Sequence, residues 1–275
     1  MAARHLFNDA YQPSQIAQRV EEMGVAKAHA DALTLFVLAV LAGAFISLGA
    51  LFFTVVITGS GLGFGATRLL GGLSFCLGLV LVLVVIGGAE LFTGNNLLAM
   101  AWASKLISTR AVLRNWLLVY LGNVIGCLGT VLFVAWADIG SLGGGAVGET
   151  AIQIARAKGG LSLGEAFARG LLCNALVCLA VWLAMGGRSV AYKILAILFP
   201  ITAFVAIGFE HSIANWFFLP FDLALDKQGA VSVVGVVRNL VAVSAGNIVG
   251  GTLLVAGVYW VAYLRGEHKR EGQSS

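Results

Sequence analysis

One stretch of polar residues inside an apolar segment constrains this chain more than any other feature. Residues 208–215 read G-F-E-H-S-I-A-N and place Glu210 and His211 between the apolar runs 194–199 and 216–219. An acid and an imidazole are costly to bury at membrane depth, and such groups persist there mainly when they face a cavity or an ion pathway. The stretch therefore predicts a polar site within a membrane-spanning chain.

The composition also indicates a membrane protein. Of the 275 residues, 59% are hydrophobic and 11% are charged, and the mean hydropathy is +0.94. Soluble domains carry about 25% charged residues. Several apolar runs exceed the roughly 18 to 20 residues that cross a bilayer. We predict an all-α membrane protein with six spans, at about 33–57, 68–87, 112–137, 165–185, 190–208 and 238–264.

The chain ends differ in character from this apolar region. Residues 1–32 form a predicted N-terminal segment, in which apolar residues at helical spacing over 13–30 favour a short amphipathic helix that lies on the membrane surface or on neighbouring loops. Asp31 is the expected N-cap of the first span. Residues 33–264 form the predicted channel domain, 265–275 the tail, and 138–164 the longest polar connection.

The sequence repeats itself in two halves. Residues 88–96 read G-A-E-L-F-T-G-N-N and resemble the stretch at 208–215, about 120 positions later. Residues 122–126 likewise recur at 246–250, 124 positions later. We predict that the second and fifth spans are interrupted, at Gly87-Gly88 and near Gly208. A short half-helix follows each break, over 95–103 in the first half and up to Leu219 in the second, where Pro220 marks the stop.

The distribution of basic residues predicts the orientation. Six spans place both termini on one side of the membrane, and that side holds 11 of the 17 Lys and Arg residues. The positive-inside rule then predicts that both termini lie in the cytoplasm. We expect the protein to lie in the cell (inner or plasma) membrane. An odd number of spans in each half gives the halves opposite orientations, which is an inverted repeat.

Four motifs carry a resemblance to a known family. They are G-G-A-E-L-F-T-G-N at 87–95, N-A-L-V-C-L-A-V-W at 174–182, A-F-V-A-I-G-F-E-H-S-I-A-N at 203–215 and G-N-I-V-G-G at 246–251. Through them the chain resembles the formate/nitrite transporter family over about residues 13–264. The resemblance implies an aquaporin-like protomer, assembled as a homopentamer, with a substrate pore through each protomer.

The resemblance also implies roles for individual residues. The outer constriction would consist of Phe75 and Phe204, and the inner one of Leu79, Leu91 and Phe92. Thr93 and His211 would face a chamber between them, supported by Asn174, Glu210, Asn215 and Asn247. Lys27 and Lys158 match the basic residues of the family near the two pore mouths.

A small anion that crosses such constrictions must shed its water, and leaving its charge bare there costs several kcal/mol or more. Imidazole titrates near about 6.5 and a carboxylic acid near about 4, so in bulk water almost none of the acid is neutral. A chamber of low polarity raises the proton affinity of the anion. Our hypothesis is that His211 relays a proton to the substrate, Thr93 hydrogen-bonds the substrate, and Glu210 or Asn215 orients the ring.

Other functions remain open at this point. A water or glycerol channel is disfavoured because the paired Asn-Pro-Ala motifs of that class are absent from the sequence. An enzyme is disfavoured because no cluster of nucleophile, base and metal ligands occurs, and we expect no cofactor, no metal and no nucleic-acid partner. We rank formate ahead of nitrite as substrate, with acetate, lactate and hydrosulfide open. A passive channel and a proton-coupled transporter are both compatible with the sequence.

Overall fold

The computed structural model describes residues 10–85, 90–225 and 231–266, and within these ranges the chain is helical with no strand. Its helices are α1 Pro13–Ala28, α2 Ala32–Ile57, α3 Phe64–Val85, α4 Ala99–Ala103, α5 Thr109–Trp136, α6 Ala146–Gly159, α7 Leu163–Gly186, α8 Val190–Ile207, α9 Ser212–Leu225 and α10 Val233–Leu264. Six of those described helices, namely α2, α3, α5, α7, α8 and α10, are long and apolar enough to cross a membrane. The predicted set of six spans is confirmed.

The N-terminal helix α1 lies where the sequence predicted an amphipathic helix. Its apolar side buries Ile16 and Val20 in a cluster with Leu97 and Trp182. The chain then turns into α2 at Asp31, whose carboxylate accepts a hydrogen bond from the backbone N–H of Thr34 at 3.0 Å. This is the expected N-cap, which satisfies one of the free donors at the start of a helix.

The connection at 138–164 contains a helix that the sequence analysis missed. Residues Gly143 and Gly145 take φ values of +65° and +95°, which only glycine adopts readily, and α6 starts directly after them. One face of α6 buries Ala151 and Ala155, and α6 packs against α9. The helix is too short to cross a membrane, so hydropathy gave no signal for it.

The prediction that Pro220 ends the second half-helix is wrong. Helix α9 continues through the proline to Leu225. Proline removes one backbone N–H donor and usually breaks a helix interior. Here the rings of Phe217 and Phe221 stack across it, with centroids 5.3 Å apart, and both are fully buried. Packing on either side of the proline therefore holds the helix together.

Glycines let the spans of each half approach closely. A Cβ on Gly126 of α5 would lie 2.0 Å from the carbonyl oxygen of Val40 on α2. In the second half, a Cβ on Gly250 of α10 would lie 2.1 Å from the carbonyl oxygen of Leu171 on α7. Gly126 and Gly250 are 124 positions apart, so the two halves use one packing device at equivalent positions. Helix pairs α2–α5 and α7–α10 are thus joined backbone to backbone.

This contact predicts a position-specific effect on stability. Gly126→Ala should lower the thermal unfolding temperature of the detergent-solubilised protein, because overpacking of a close contact costs about 1–3 kcal/mol. Gly129→Ala, on the same helix, has open space at its Cβ and should be neutral or slightly stabilising. Equal unfolding temperatures for the two variants would show that α2 and α5 are not held at this distance.

Candidate functional site

The side chain of His211 lies between α8 and α9, where the fifth span stops being helical. Helix α8 ends at Ile207, Gly208 follows with a φ of +88°, and α9 begins at Ser212. The imidazole is 3% exposed. Its Nε2 lies 3.1 Å from the hydroxyl oxygen of Thr93, which is itself fully buried. The structure therefore brings together the two residues expected to face the chamber.

The hydrogen bonds of His211 assign its tautomer. The Nδ1 atom accepts a bond from the backbone N–H of Ala214 at 3.1 Å, so in the neutral ring the proton resides on Nε2 and points to Thr93. The hypothesis that Glu210 or Asn215 orients the ring is corrected, because Ala214 and Thr93 occupy the two ring nitrogens. The first turn of α9 supplies this support directly from the backbone.

A cavity of about 320 Å³ opens on one side of His211. Its lining includes Phe75, Phe204 and His211. The two phenylalanine rings meet edge to face with centroids 5.6 Å apart, and Phe204 stacks on the imidazole at 5.9 Å. The lining also contains Lys158 and Glu210. We call this space the outer cavity.

A second cavity, of about 270 Å³, includes Leu79 and Leu91 in its lining, together with the basic residues Arg19, Lys27 and Lys193. We call this space the inner cavity. Phe92, the third residue expected at the inner constriction, packs edge to face against Tyr120 with centroids 4.8 Å apart and is not among the residues that line either cavity.

A buried ion pair is anchored beside the outer cavity. Lys158 on α6 donates to both carboxylate oxygens of Glu210, at 3.0 and 3.1 Å. The amide of Asn215 donates to Glu210 at 2.7 Å and to the side chain of Asn239 at 2.8 Å, and Asn239 donates back to the carbonyl of Lys158. These four residues close a ring of hydrogen bonds, which we call the outer cluster.

The inner cavity has a matching cluster. Lys27 on α1 lies 3.5 Å from a carboxylate oxygen of Glu90 and donates to Asn95 at 2.7 Å. Asn95 donates to Glu90 and to Asn115, and Asn115 donates to the carbonyl of Lys27. Burial lowers the pKa of Lys27, and the charge of Glu90 opposes that shift. This inner cluster repeats the outer one residue type by residue type.

Two further asparagines hold the non-helical backbone beside these clusters. Asn123 accepts from the N–H of Phe92 and donates to the carbonyl of Glu90. In the other half, Asn247 accepts from the N–H of Ser212 and donates to the carbonyl of Glu210. Each therefore binds backbone groups that helix geometry leaves unpaired, as irregular backbone at membrane depth requires.

Asn174 joins the two halves near Thr93. Its side-chain nitrogen donates to the carbonyl oxygens of Thr93, at 3.2 Å, and of Asn247, at 2.7 Å.

The predicted break of the second span, at glycines 87 and 88, lies outside the described residues. Helix α3 ends at Val85, and a short 3₁₀ segment begins at Gly94.

Of the site residues predicted from sequence, the outer cavity is lined by Phe75, Lys158, Phe204, Glu210 and His211, and the inner cavity by Lys27, Leu79 and Leu91. The remaining polar ones, Thr93, Asn174, Asn215 and Asn247, are not among the lining residues but are joined to this site by hydrogen bonds, whereas Phe92 lines neither cavity.

Comparison with known proteins identifies the family of this chain. The sequence pattern of the family described as formate/nitrite transporter matches residues 14–261. The chain belongs to the formate/nitrite transporter family. The family comprises transporters and channels rather than enzymes. Together with the six helices that are long and apolar enough to cross a membrane, this makes the chain a multi-pass membrane protein.

Relatives that are 38–39% identical match almost the full length of the chain. The formate channel FocA of Escherichia coli (strain K12) is 39% identical over 271 residues, which span 92% of this chain and 94% of that protein. A probable formate transporter of Methanothermobacter thermautotrophicus is 38% identical, over 92% of this chain and 97% of the relative. A solved structure described as a pentameric formate channel with formate bound superposes with a TM-score of 0.78 at 39% identity, covering 85% of this chain and 98% of that one. An FNT family ion channel gives a TM-score of 0.79 at 29% identity, over 91% and 98%.

Four cluster residues were missed in the sequence analysis of this family member: Glu90, Asn95, Asn115 and Asn239. The signal was present, because Arg114-Asn115 recurs as Arg238-Asn239, 124 positions later. Asn95 follows Glu90 by five positions, as Asn215 follows Glu210. A search for further residue matches 120 and 124 positions apart would have found all four residues.

The described residues contain no group of three or more His, Cys, Asp or Glu side chains that could hold a metal ion. The four cysteines are free and buried.

The outer cluster predicts a stability effect. Lys158→Met should leave Glu210, whose side chain is 5% exposed, as an uncompensated buried charge, and the loss of one partner of a buried ion pair costs about 3–5 kcal/mol. The thermal unfolding temperature in detergent should drop strongly, and adding Glu210→Gln should restore part of it. Arg156→Met, an exposed position on the same helix, is the matched control. A drop of the same size at Arg156 would contradict the pairing.

Proposed function

We propose that this protein transports formate and similar small monovalent weak acids through a pore in each protomer, with proton relay at His211. The observation that carries the proposal is the buried contact between His211 Nε2 and Thr93. His211 lines the outer cavity, Gly94 next to Thr93 lines the inner one, and basic residues line both. Relatives described as formate channels, at 39% identity over most of the chain, support formate as the first substrate. Nitrite ranks second, because it is also a small anion of a weak acid.

The charge of the cavities favours anions. The outer cavity has three cationic side chains, Arg68, Lys158 and Arg169, with one carboxylate, Glu210. Clefts with one sign of charge raise the local concentration of oppositely charged solutes. The described residues that line the inner cavity include the cations Arg19, Lys27 and Lys193 and no carboxylate, which favours the entry of anions from the other side as well.

The apolar rings and His211 determine in which protonation state the anion can cross. An anion that leaves the outer cavity meets the rings of Phe75 and Phe204, where a bare charge is costly by several kcal/mol or more. Protonation of His211 requires Nδ1 to release the N–H of Ala214, at a cost of about 1 kcal/mol. A bound anion offsets this cost by its charge. We therefore infer that His211 becomes cationic chiefly when an anion is next to it, and that it then hands over the proton while Thr93 orients the acid.

The architecture follows from the repeat. We propose an aquaporin-like inverted repeat, with the second and fifth spans interrupted, and the twin clusters at equivalent positions support it. The cations of the inner cavity belong to the side that holds most Lys and Arg. That cavity, the segment 1–32 and the tail 265–275 are therefore on the cytoplasmic side of the cell (inner or plasma) membrane. Residues 33–264 form the channel domain. A homopentamer is proposed from the solved structure described as a pentameric formate channel.

Replacement of the imidazole tests this proposal. His211→Phe should reduce formate uptake into proteoliposomes at least about tenfold, since a hydrogen bond to a charged group contributes about 1.5–3 kcal/mol and 1.4 kcal/mol is tenfold. We expect uptake by the wild type to rise from pH 7 to pH 5, because lower pH favours the protonated imidazole, and this rise should disappear with the ring. His29→Phe, an exposed position on the N-terminal segment, is the control and should behave as wild type.

The assay distinguishes the alternatives when formate, nitrite, acetate, lactate, hydrosulfide and glycerol are compared at both pH values. Unchanged pH-dependent formate uptake in His211→Phe would remove the proton relay but leave transport. Glycerol uptake without formate uptake in the wild type would replace the proposal by a neutral-solute channel.

A further inference from the structure

Arg68 links the outer ends of the two helices that carry the phenylalanine pair. It belongs to α3, and its guanidinium donates from Nε to the carbonyl of Ala206 at 2.9 Å and from Nη2 to the carbonyl of Val205 at 2.6 Å. Both carbonyls lie in the last turn of α8, which ends at Ile207. Carbonyls at a helix end lack their usual partners one turn on, so Arg68 supplies donors to them from a different helix.

The position of this link relative to the pore is specific. Arg68 and Phe75 are seven residues apart on α3, two turns along the same face. Val205 directly follows Phe204 on α8. The guanidinium therefore ties the turn of α8 that carries one ring to the helix that carries the other, and the rings meet at 5.6 Å.

Helices α3 and α8 run antiparallel. One turn from Arg68 toward the inner cavity, the two helices approach each other closely at Gly72 and Thr202. A Cβ on Gly72 would lie 2.7 Å from the carbonyl oxygen of Thr202, and Cys76 Sγ lies 3.4 Å from the hydroxyl of Thr202. Without the guanidinium, the last turn of α8 beyond Thr202 could swing away from α3. Phe204 lies in that turn, so the swing would widen the space between the two rings.

We propose that Arg68 is a positioning residue that sets the aperture of the outer constriction, and thereby the largest acid that passes. The proposal rests on the proposed transport of small weak acids and adds a determinant of size selectivity to it. The role differs from anion attraction, since the guanidinium is engaged with two carbonyls. An arginine binds two acceptors in a fixed fork, whereas a lysine of the same charge presents a single rotating point charge.

Arg68→Lys separates the two roles because it retains the charge and loses the fork. We expect Arg68→Lys and Arg68→Met to raise the acetate-to-formate and lactate-to-formate uptake ratios in proteoliposomes at least threefold over wild type. Arg169 is the matched control: it lines the same cavity, is exposed, and makes one long contact of 3.5 Å with the carbonyl of Gly208. Arg169→Lys should leave both ratios unchanged, and Arg169→Met should lower the uptake of all three anions by a similar factor.

Gly72→Ala provides a second variant that leaves Arg68 in place. Its methyl group pushes α3 away from Thr202 and should raise the same uptake ratios. Wild-type ratios in Arg68→Lys, with reduced uptake in Arg68→Met alone, would overturn the proposal in favour of anion attraction. Raised ratios in Gly72→Ala but not in Arg68→Lys would also overturn it. Absence of formate uptake by the wild type would instead refute the proposed function, and this inference with it.

Discussion

Polar groups that leave water must find partners inside the protein, and this constraint organises the polar centre of the molecule. The non-helical backbone before α9 is bound by the amide of Asn247, and the equivalent segment near Phe92 by Asn123. Lys158 and Glu210 can lie buried beside the outer cavity because each has the other and an asparagine as partner. The substrate is subject to the same requirement, but it must leave again, so its partners have to be temporary.

The two halves share a scaffold and differ at the centre. Counting 120 positions, His211 corresponds to Leu91, and Thr93 corresponds to Ile213. The clusters and backbone supports are repeated, whereas the imidazole and the hydroxyl that meet at 3.1 Å come one from each half. Repeated polar clusters thus accompany a pair that is not repeated, and the proton relay proposed above would use the residues that break the repeat.

The sequence predicted the spans well because their length and hydropathy are set by the membrane itself. It also identified His211, whose placement inside an apolar segment has few explanations. It failed where local rules compete with packing: Pro220 signals a stop, but buried aromatic rings on both sides keep α9 intact. The short helix α6 crosses no membrane, so the position of Lys158 on it was unforeseen, although the residue itself was expected at a pore mouth.

Other features depend on geometry that no motif encodes. The support of His211 by the backbone of Ala214 rather than by Glu210 requires the first turn of α9 to be in place. The link from Arg68 to the end of α8 joins residues 137 and 138 positions apart. Contacts of this kind arise from the packing of α3 on α8, and a single sequence gives no register for two packed helices.

If the anion crosses the apolar constriction together with a proton, as proposed above, formate uptake moves no net charge, and the charge and protons moved per formate can be measured together. Proteoliposomes containing the purified protein, with a potassium diffusion potential imposed by valinomycin and a pH dye inside, would report both quantities during formate uptake. We expect the lumen to acidify by one proton per formate and the imposed voltage to leave the rate unchanged. Formate uptake that follows the voltage without acidification would contradict this proposal.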